Sequence, residues 1–151
     1  MGSGLLDTTF QSLKTVRNDL PEKALQIVAE VQDEIIKYNT EKQLMLGIDN
    51  QGRKLSPKYS RVRYARAKNS RNPLPGLGTP DLNLTGSFHS NFYLVMKGNE
   101  FSFLSSDEKA DKLTAKYGNS IFGLTEENEE LVNLELIYPK LIEWILSQVK
   151  V

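Results

Sequence analysis

The stretch that decides the fold is residues 88–105, FHSNFYLVMKGNEFSFLS. Apolar and polar side chains alternate in two runs, and the pair Gly98-Asn99 between them is typical of a two-residue β-hairpin loop. With that loop, Phe92 lies opposite Ser105 and the two runs form an antiparallel pair. One face of the hairpin is then apolar, and its members are Phe92, Leu94, Met96, Phe101 and Phe103.

Two amphipathic helices are predicted before the hairpin. The first follows Asp7, a candidate N-cap, and is short. The second extends over about residues 20–39, because Asp19-Leu20-Pro21-Glu22 combines a capping acid, a first-turn proline and an early glutamate. Residues 44–48 are predicted to form a strand, which ends in a turn at residues 49–52.

Helical patterns return after the hairpin. Asp107 is predicted to cap a short helix that Gly118 ends. Thr125 is predicted to begin the last helical region, and acidic residues follow it, as the positive end of a helix dipole favours. Pro139 lies inside this region, so we expect a kink or break near Tyr138.

The composition is that of a single globular domain. The chain has 151 residues, of which 39% are hydrophobic and 25% charged, and a domain of this length buries about 68–70% of its unfolded surface. Residues 1–151 therefore form one predicted domain with a flexible start at residues 1–4. Its fold class is α+β, with N-terminal and C-terminal helices packed on a small antiparallel sheet, the β-hairpin at about residues 87–105. No apolar run has the length of a membrane span, so no membrane contact is expected.

A basic stretch interrupts an otherwise acidic chain. Residues 53–71 hold 8 of the 19 Lys and Arg and no acid, so 11 cations elsewhere face 19 Asp and Glu, a net charge of −8. Four prolines and few apolar residues in residues 56–80 predict a long basic loop or extended arm. The arm offers these residues to a protein or nucleic-acid partner: Arg53, Lys54, Lys58, Tyr59, Arg61, Arg63, Arg66, Lys68 and Arg71.

The sequence contains no set of residues that supplies a nucleophile, a base and oxyanion donors together. Cysteine is absent, and the single histidine, His89, is predicted to lie in a strand beside Phe88. Gly76-Leu77-Gly78 precedes Pro80, which lacks the backbone N–H that a phosphate-binding loop needs. We therefore expect no enzyme activity, no cofactor and no metal site.

Several short motifs, taken in order, resemble the virion morphogenesis, or tail-completion, proteins of tailed bacteriophages. GIDNQGRKLSPKY at residues 47–59, the basic stretch and DLNLTG at residues 81–86 are similar to that family's glycine turn, Leu-x-Pro segment, basic arm and Leu-Thr-Gly segment. The helix before Gly118 and IFGLTEEN at residues 121–128 resemble a later family segment. The motif residues with an expected structural role are Gly52, Leu55, Pro57, Leu84, Thr85, Gly86, Gly118, Phe122, Gly123 and Leu124.

The resemblance implies a non-enzymatic structural protein of a phage virion. Such a protein would be a ring or connector subunit at the head–tail junction or tail top, assembled in the host cytoplasm. The implied partners are further copies in a homo-oligomeric ring and other neck, connector or tail proteins. A basic arm and an acidic body suit head-to-tail association.

The residues of the basic stretch are also compatible with two alternatives to the virion role. In the first, the chain is a nucleic-acid-binding module, in which the cations of residues 53–71 contact phosphates and Tyr59 and Tyr64 stack on bases. This role can coexist with the structural one, because a ring around a genome channel can face packaged DNA. In the second, the stretch is a solvated loop without a partner.

Overall fold

The computed structural model describes residues 5–98 and 100–149, with side chains from residue 8 onward. The expected flexible start at residues 1–4 and the hairpin residue Asn99 lie outside the described residues. The helices are α1 (Leu5–Glu30), α2 (Gln32–Thr40), α3 (Val62–Arg71), α4 (Ser87–Ser90), α5 (Ala110–Tyr117), α6 (Glu126–Val132) and α7 (Tyr138–Gln148). The strands are β1 (Phe92–Lys97) and β2 (Glu100–Ser105). The predicted α+β class is confirmed.

The hairpin has the predicted register. Phe92 pairs with Ser105, Leu94 with Phe103 and Met96 with Phe101. Its predicted apolar face is buried or half-buried, whereas the intervening side chains are exposed. The prediction is wrong only at the entrance, where residues 87–90 form α4 instead of extending the strand.

The N-terminal helices differ from the prediction in where they divide. α1 starts at Leu5, so Asp7 is not its N-cap, and Pro21 lies inside this 26-residue helix rather than at the start of a second one. Its ring is exposed, as is Arg17 one turn earlier, so the carbonyl that loses its partner lies on the water-facing side of the helix. The division falls at Val31 instead, where the backbone bonds from Val31 N to Ile27 O and from Ile35 N to Val31 O keep the two helices nearly continuous.

Residues 44–48 do not form the predicted strand. A single 3₁₀ turn covers Leu44–Leu46, and only Ile48 pairs, as an isolated bridge with Lys54. Gly47 ends the turn with φ +73°, and a Cβ there would lie 2.6 Å from the Pro75 side chain. The close approach of the chain around Pro75 therefore requires a glycine turn at a place where the apolar pattern suggests a strand.

Two features of the C-terminal helices follow the prediction: α6 begins after Thr125, and the helical geometry changes shortly before Pro139. The Thr125 hydroxyl accepts a hydrogen bond from Asn128 N, which makes Thr125 the N-cap of α6. A π-helical turn, Asn133–Ile137, then joins α6 to α7 immediately before Pro139. Proline cannot donate a backbone bond, so the wider turn accommodates the missing donor. Gly118 ends α5, also as predicted, but the N-cap of α5 is Lys109, so the prediction that Asp107 caps this helix is wrong.

The core lies between the apolar face of the hairpin and the surrounding helices. α2 packs against β1, and α7 packs along α1. Phe88, Phe92 and Phe122 form a ring cluster with centroids 5.1–5.9 Å apart. The aromatic cluster joins α4, the hairpin and the segment before α6 into one core.

The predicted extended arm at residues 56–80 is absent from this part of the structure. The central part of residues 56–80 forms α3 instead. The chain after α3 folds back, so that Pro75, Thr79 and Pro80 are buried. The like charges do not prevent this, because most of them point to water while Ala65 and Lys68 face inward. The arm prediction is wrong because the four prolines on which it rested flank α3 rather than interrupt it, and those after α3 lie in the segment that folds back.

Candidate functional site

A buried ion pair holds the basic stretch in place. Lys68 Nζ lies 2.7 Å from Asp81 Oδ1, and the two side chains are only 8% and 2% exposed. The same ammonium group donates to Asn83 O at 2.6 Å. Asp81 also accepts from Asn72 Nδ2 and from Asn83 N, both at 3.0 Å. Lys68 is thus a structural residue, and its prediction as a partner-contact residue is wrong.

The protonation of this cluster follows from its burial. Burial alone would raise the pKa of Asp81, but hydrogen bonds from Lys68, Asn72 and Asn83 N outweigh it and hold that pKa below its ordinary value. His89 Nε2 lies 2.9 Å from the carbonyl oxygen of Asp81. Burial lowers the pKa of His89, so the ring is neutral near pH 7 and must carry its proton on Nε2 to donate this bond.

Three further predicted contact residues have partners within the chain. Arg53 forms an ion pair with Asp49 at 3.3 Å. Lys54 Nζ donates to Pro75 O at 2.8 Å, which ties the turn near residue 54 to the segment after α3. Arg71 donates a long bond of 3.5 Å to Leu84 O. These cations stabilise the fold of the basic stretch in addition to any role at a surface.

The remaining predicted cations are exposed. Arg61, Arg63 and Arg66 lie at the start and on the outer side of α3, and Lys58 lies shortly before it. None of these four side chains forms an ion pair with another described residue. They are the charged groups of the stretch that a partner could neutralise.

Tyr59 and Tyr64 pack against each other. Their ring centroids are 4.9 Å apart with an interplanar angle of 88°, an edge-to-face contact. Tyr59 N donates to Gly78 O at 2.8 Å, which fixes the backbone beside the ring. Burial raises the pKa of the Tyr59 hydroxyl, whereas the Tyr64 ring is 40% exposed. Only Tyr64 is accessible enough to offer part of its ring to a partner.

A groove of about 540 Å³ lies between the start of α3 and the α4–α5 region. We name it the basic groove. No acidic side chain is found among the described residues that line it, which are Pro57, Lys58, Tyr59, Ser60, Arg61, Tyr64, Lys68, Leu82, Asn83, Leu84, Thr85, Gly86, Ser87, Phe88, Lys109, Leu113, Lys116 and Tyr117. Lys109 immediately precedes α5 and Lys116 lies in it, and sequence reasoning missed both because they are about 50 residues away from the basic stretch.

Four motif residues of the first set line this groove, Pro57, Leu84, Thr85 and Gly86, whereas Gly52 and Leu55 do not. Leu55 is buried in the core, and Pro57 follows it at the rim of the groove. In the Leu-Thr-Gly segment, Thr85 Oγ1 lies 3.0 Å from Ser87 Oγ, and Gly86 precedes α4. Leu84 is 51% exposed, so its side chain is accessible at the groove. Gly52 lies in the turn before Leu55 with open space around its Cα.

Three residues of the second set, Phe122, Gly123 and Leu124, lie at the core beside two polar side chains, whereas Gly118 is exposed at the end of α5. Gln43 Nε2 donates to Gly123 O at 2.8 Å, and Gln43 Oε1 accepts from Thr125 N at 2.9 Å. Asn39 Oδ1 accepts from Gly123 N at 2.8 Å. Gly123 has φ +112°, and a Cβ there would lie 3.2 Å from Asn50 Nδ2. The neighbouring motif residues Phe122 and Leu124 pack against the core.

Sequence reasoning did not identify Asn39 and Gln43. Both are fully buried, and they continue the apolar stripe of α2 at steps of four residues from Ile35. Polar residues at such positions indicate a buried hydrogen-bond network, because a helix otherwise presents only apolar groups there. That spacing is the signal that could have found them.

Two further features, a metal-binding cluster and a membrane-spanning helix, are absent from residues 5–98 and 100–149. No group of three or more His, Asp or Glu side chains in these ranges is arranged to hold a metal ion. No helix in the same ranges is long and apolar enough to cross a membrane. The candidate site is therefore the basic groove and the exposed arginines beside it.

Comparisons of this chain with models of protein families, with curated proteins and with solved structures find no match. A function must accordingly be argued from the chain's own residues and from the order of its motifs.

Proposed function

We propose that the chain is a non-enzymatic structural subunit of a phage virion, part of a ring or connector at the head–tail junction or tail top. The observation that carries the proposal is the exposed Arg61, Arg63 and Arg66, at the start and on the outer side of a helix that a buried ion pair fixes to the core. These arginines form a preorganised contact surface, since their backbone need not be ordered when a partner binds. The order of the tail-completion motifs supports the same class of protein.

The mechanism of this proposal is scaffolding. The hairpin and helices give a rigid body, and α3 presents its arginines to a neighbouring subunit or to another ring of the virion. Each copy carries a basic and an acidic region, which favours head-to-tail contacts that close into a ring. The protein would assemble in the host cytoplasm and remain in the finished virion.

A specific observation favours a second candidate, nucleic-acid binding. The basic groove combines four exposed cations with the accessible ring of Tyr64, a combination that can hold phosphates and a base. The edge-to-face contact of Tyr59 with Tyr64 limits stacking on both rings. The net charge of −8 outside residues 53–71 also opposes a long polyanion. This candidate therefore ranks second.

The experiment replaces Arg61, Arg63 and Arg66 together by Glu. We expect a folded protein that no longer enters particles, while wild-type protein binds little DNA at physiological salt. The control replaces Lys14, Arg17 and Lys97 by Glu, three exposed cations outside the groove, and should leave incorporation unchanged. If the arginine variant enters particles normally, α3 is not the assembly contact. Salt-sensitive DNA binding by the wild type, lost in the arginine variant, would favour the second candidate.

A further inference from the structure

The basic groove is a positively charged site without a partner of its own. Lys58, Arg61, Lys109 and Lys116 are exposed at the groove, and none of them forms an ion pair with another described residue. Beneath the groove, the Asp81 carboxylate is already paired with Lys68, and at its edge Asp107 accepts a hydrogen bond from Lys109 N at 2.8 Å. Four neighbouring cations repel each other, so an acidic occupant would relieve that repulsion.

An acidic patch on the same chain has the complementary property. Glu126, Glu127, Glu129 and Glu130 fall within five residues at the start of α6, and all four side chains are exposed. Elsewhere in the described chain, no cation forms an ion pair with any of them. Lys42 lines the same shallow surface, but its ammonium lies 4.0 Å above the Tyr38 ring and forms no ion pair with the patch.

We propose that the basic groove of one copy docks the acidic patch of a second copy. This inference rests on the proposed function, and it names the two surfaces through which the ring subunits meet. The contact is heterologous, because each copy uses its groove toward one neighbour and its patch toward the other. Repetition of such a contact generates a closed ring when the rotation between copies closes, and an open filament when it does not.

A second copy fits the groove better than a nucleic acid does. The complementary charges are matched in number, with four cations against four carboxylates. The groove also has apolar walls from Leu84, Leu113 and Phe88, which favour a protein surface over a chain of phosphates. A nucleic acid that leaves the groove would meet the net-negative remainder of the surface, whereas a second copy has no net charge.

The experiment is a charge swap measured by sedimentation velocity with full-length protein at low salt. The groove variant is Arg61→Glu with Lys116→Glu, and the patch variant is Glu127→Lys with Glu130→Lys. We expect each variant to weaken self-association at least tenfold. The swapped variant combines all four substitutions, retains the wild-type net charge and should recover self-association to within about threefold. Salt should weaken the association of the wild type and of the swapped variant alike.

Controls separate a lost contact from a lost fold. Lys14→Glu with Lys97→Glu makes the same charge change as the groove variant at exposed positions outside the groove, and it should leave association unchanged. Far-ultraviolet circular dichroism and urea unfolding check that each variant is folded. A variant that fails this check is replaced by its Gln counterpart, Arg61→Gln with Lys116→Gln or Glu127→Gln with Glu130→Gln.

Three outcomes would overturn the inference. The wild type could remain monomeric at every salt and protein concentration, or the swapped variant could stay dissociated although both parents weaken association. Single-stranded DNA could also bind the wild type and the patch variant equally but not the groove variant, which would make the groove a nucleic-acid site. None of these outcomes removes the proposed virion function, which fails only when the chain is absent from particles.

Discussion

Lys68 and Asp81 form a buried ion pair that joins α3 to the segment leading into α4, with 2.7 Å between Nζ and Oδ1. The pair explains why a stretch of eight cations folds against the protein instead of extending from it. It also separates the cations into those that support the fold and those that remain for a partner. Asn72, which donates to the same carboxylate, ends α3 and completes the cluster.

Breaking this pair should strongly destabilise the protein. Replacing Lys68 by Met leaves the Asp81 carboxylate buried without its cation, and such a loss costs about 3–5 kcal/mol in the free energy of unfolding. The measurement is urea unfolding followed by circular dichroism. Arg66→Met, on the exposed side of the same helix, is the matched control and should change stability by no more than about 0.5 kcal/mol. Equal effects of the two substitutions would show that the pair is unimportant.

Stability should fall as the pH drops below the ordinary pKa of histidine. Burial lowers the pKa of His89 in the folded protein, while the unfolded chain titrates near about 6.5. The unfolded state therefore binds more protons between those two values, and the free energy of unfolding decreases as the pH falls through that window. Urea midpoints measured from pH 7.5 to pH 5 test this. His89→Gln should flatten the dependence, and an unchanged slope would contradict the assignment.

Asp81 should affect the free energy of unfolding in a separate and more acidic pH range than His89. Its folded pKa is lowered, so its contribution to stability is complete above the unfolded pKa of about 3.9 and is lost as the pH falls through the lower folded value. The measurement is the free energy of unfolding from pH 5 to pH 2 in wild type and in Asp81→Asn. The variant should be the less stable protein at pH 5, and the difference should shrink toward pH 2. A constant difference across this range would show that the carboxylate charge is not the stabilising group.

The two faces of the hairpin should respond differently to truncation. Phe92 is buried against Phe88 and Phe122, so Phe92→Ala should cost about 3–5 kcal/mol. Tyr93 is the next residue on the strand and faces outward with 41% exposure, so Tyr93→Ala is the control and should cost clearly less. Thermal unfolding of the two variants compares the faces directly. A Phe92→Ala protein with wild-type melting temperature would refute the register.

The buried amide of Gln43 should be difficult to replace. Gln43→Met preserves the approximate size of the side chain but removes the partners of Gly123 O and Thr125 N, and each unsatisfied buried group costs about 1–3 kcal/mol. We expect a total loss of at least about 2 kcal/mol in urea unfolding. Gln26→Met on the exposed side of α1 is the control and should be nearly neutral. Equal stability of the two variants would mean that water satisfies these groups.

Local patterns predicted the hairpin, and distant partners determined the basic stretch. The register between Phe92 and Ser105 follows from alternation and a two-residue loop, both of which lie within 18 residues. The position of Lys68 depends on Asp81, 13 residues away, and charge counting contains no information about that pairing. The groove is harder still to predict, because Lys109 and Lys116 reach it only through the packing of α5.

The central claim is that this chain is a structural subunit of a virion, and its location in particles tests that claim most directly. Intact particles are purified from cells in which the gene for this chain carries an epitope tag, and gold-labelled antibodies are imaged by electron microscopy. The account predicts a label at the head–tail junction or the top of the tail, with several copies per particle by quantitative mass spectrometry. Complete, infectious particles that contain the other structural proteins but none of the tagged chain would contradict it.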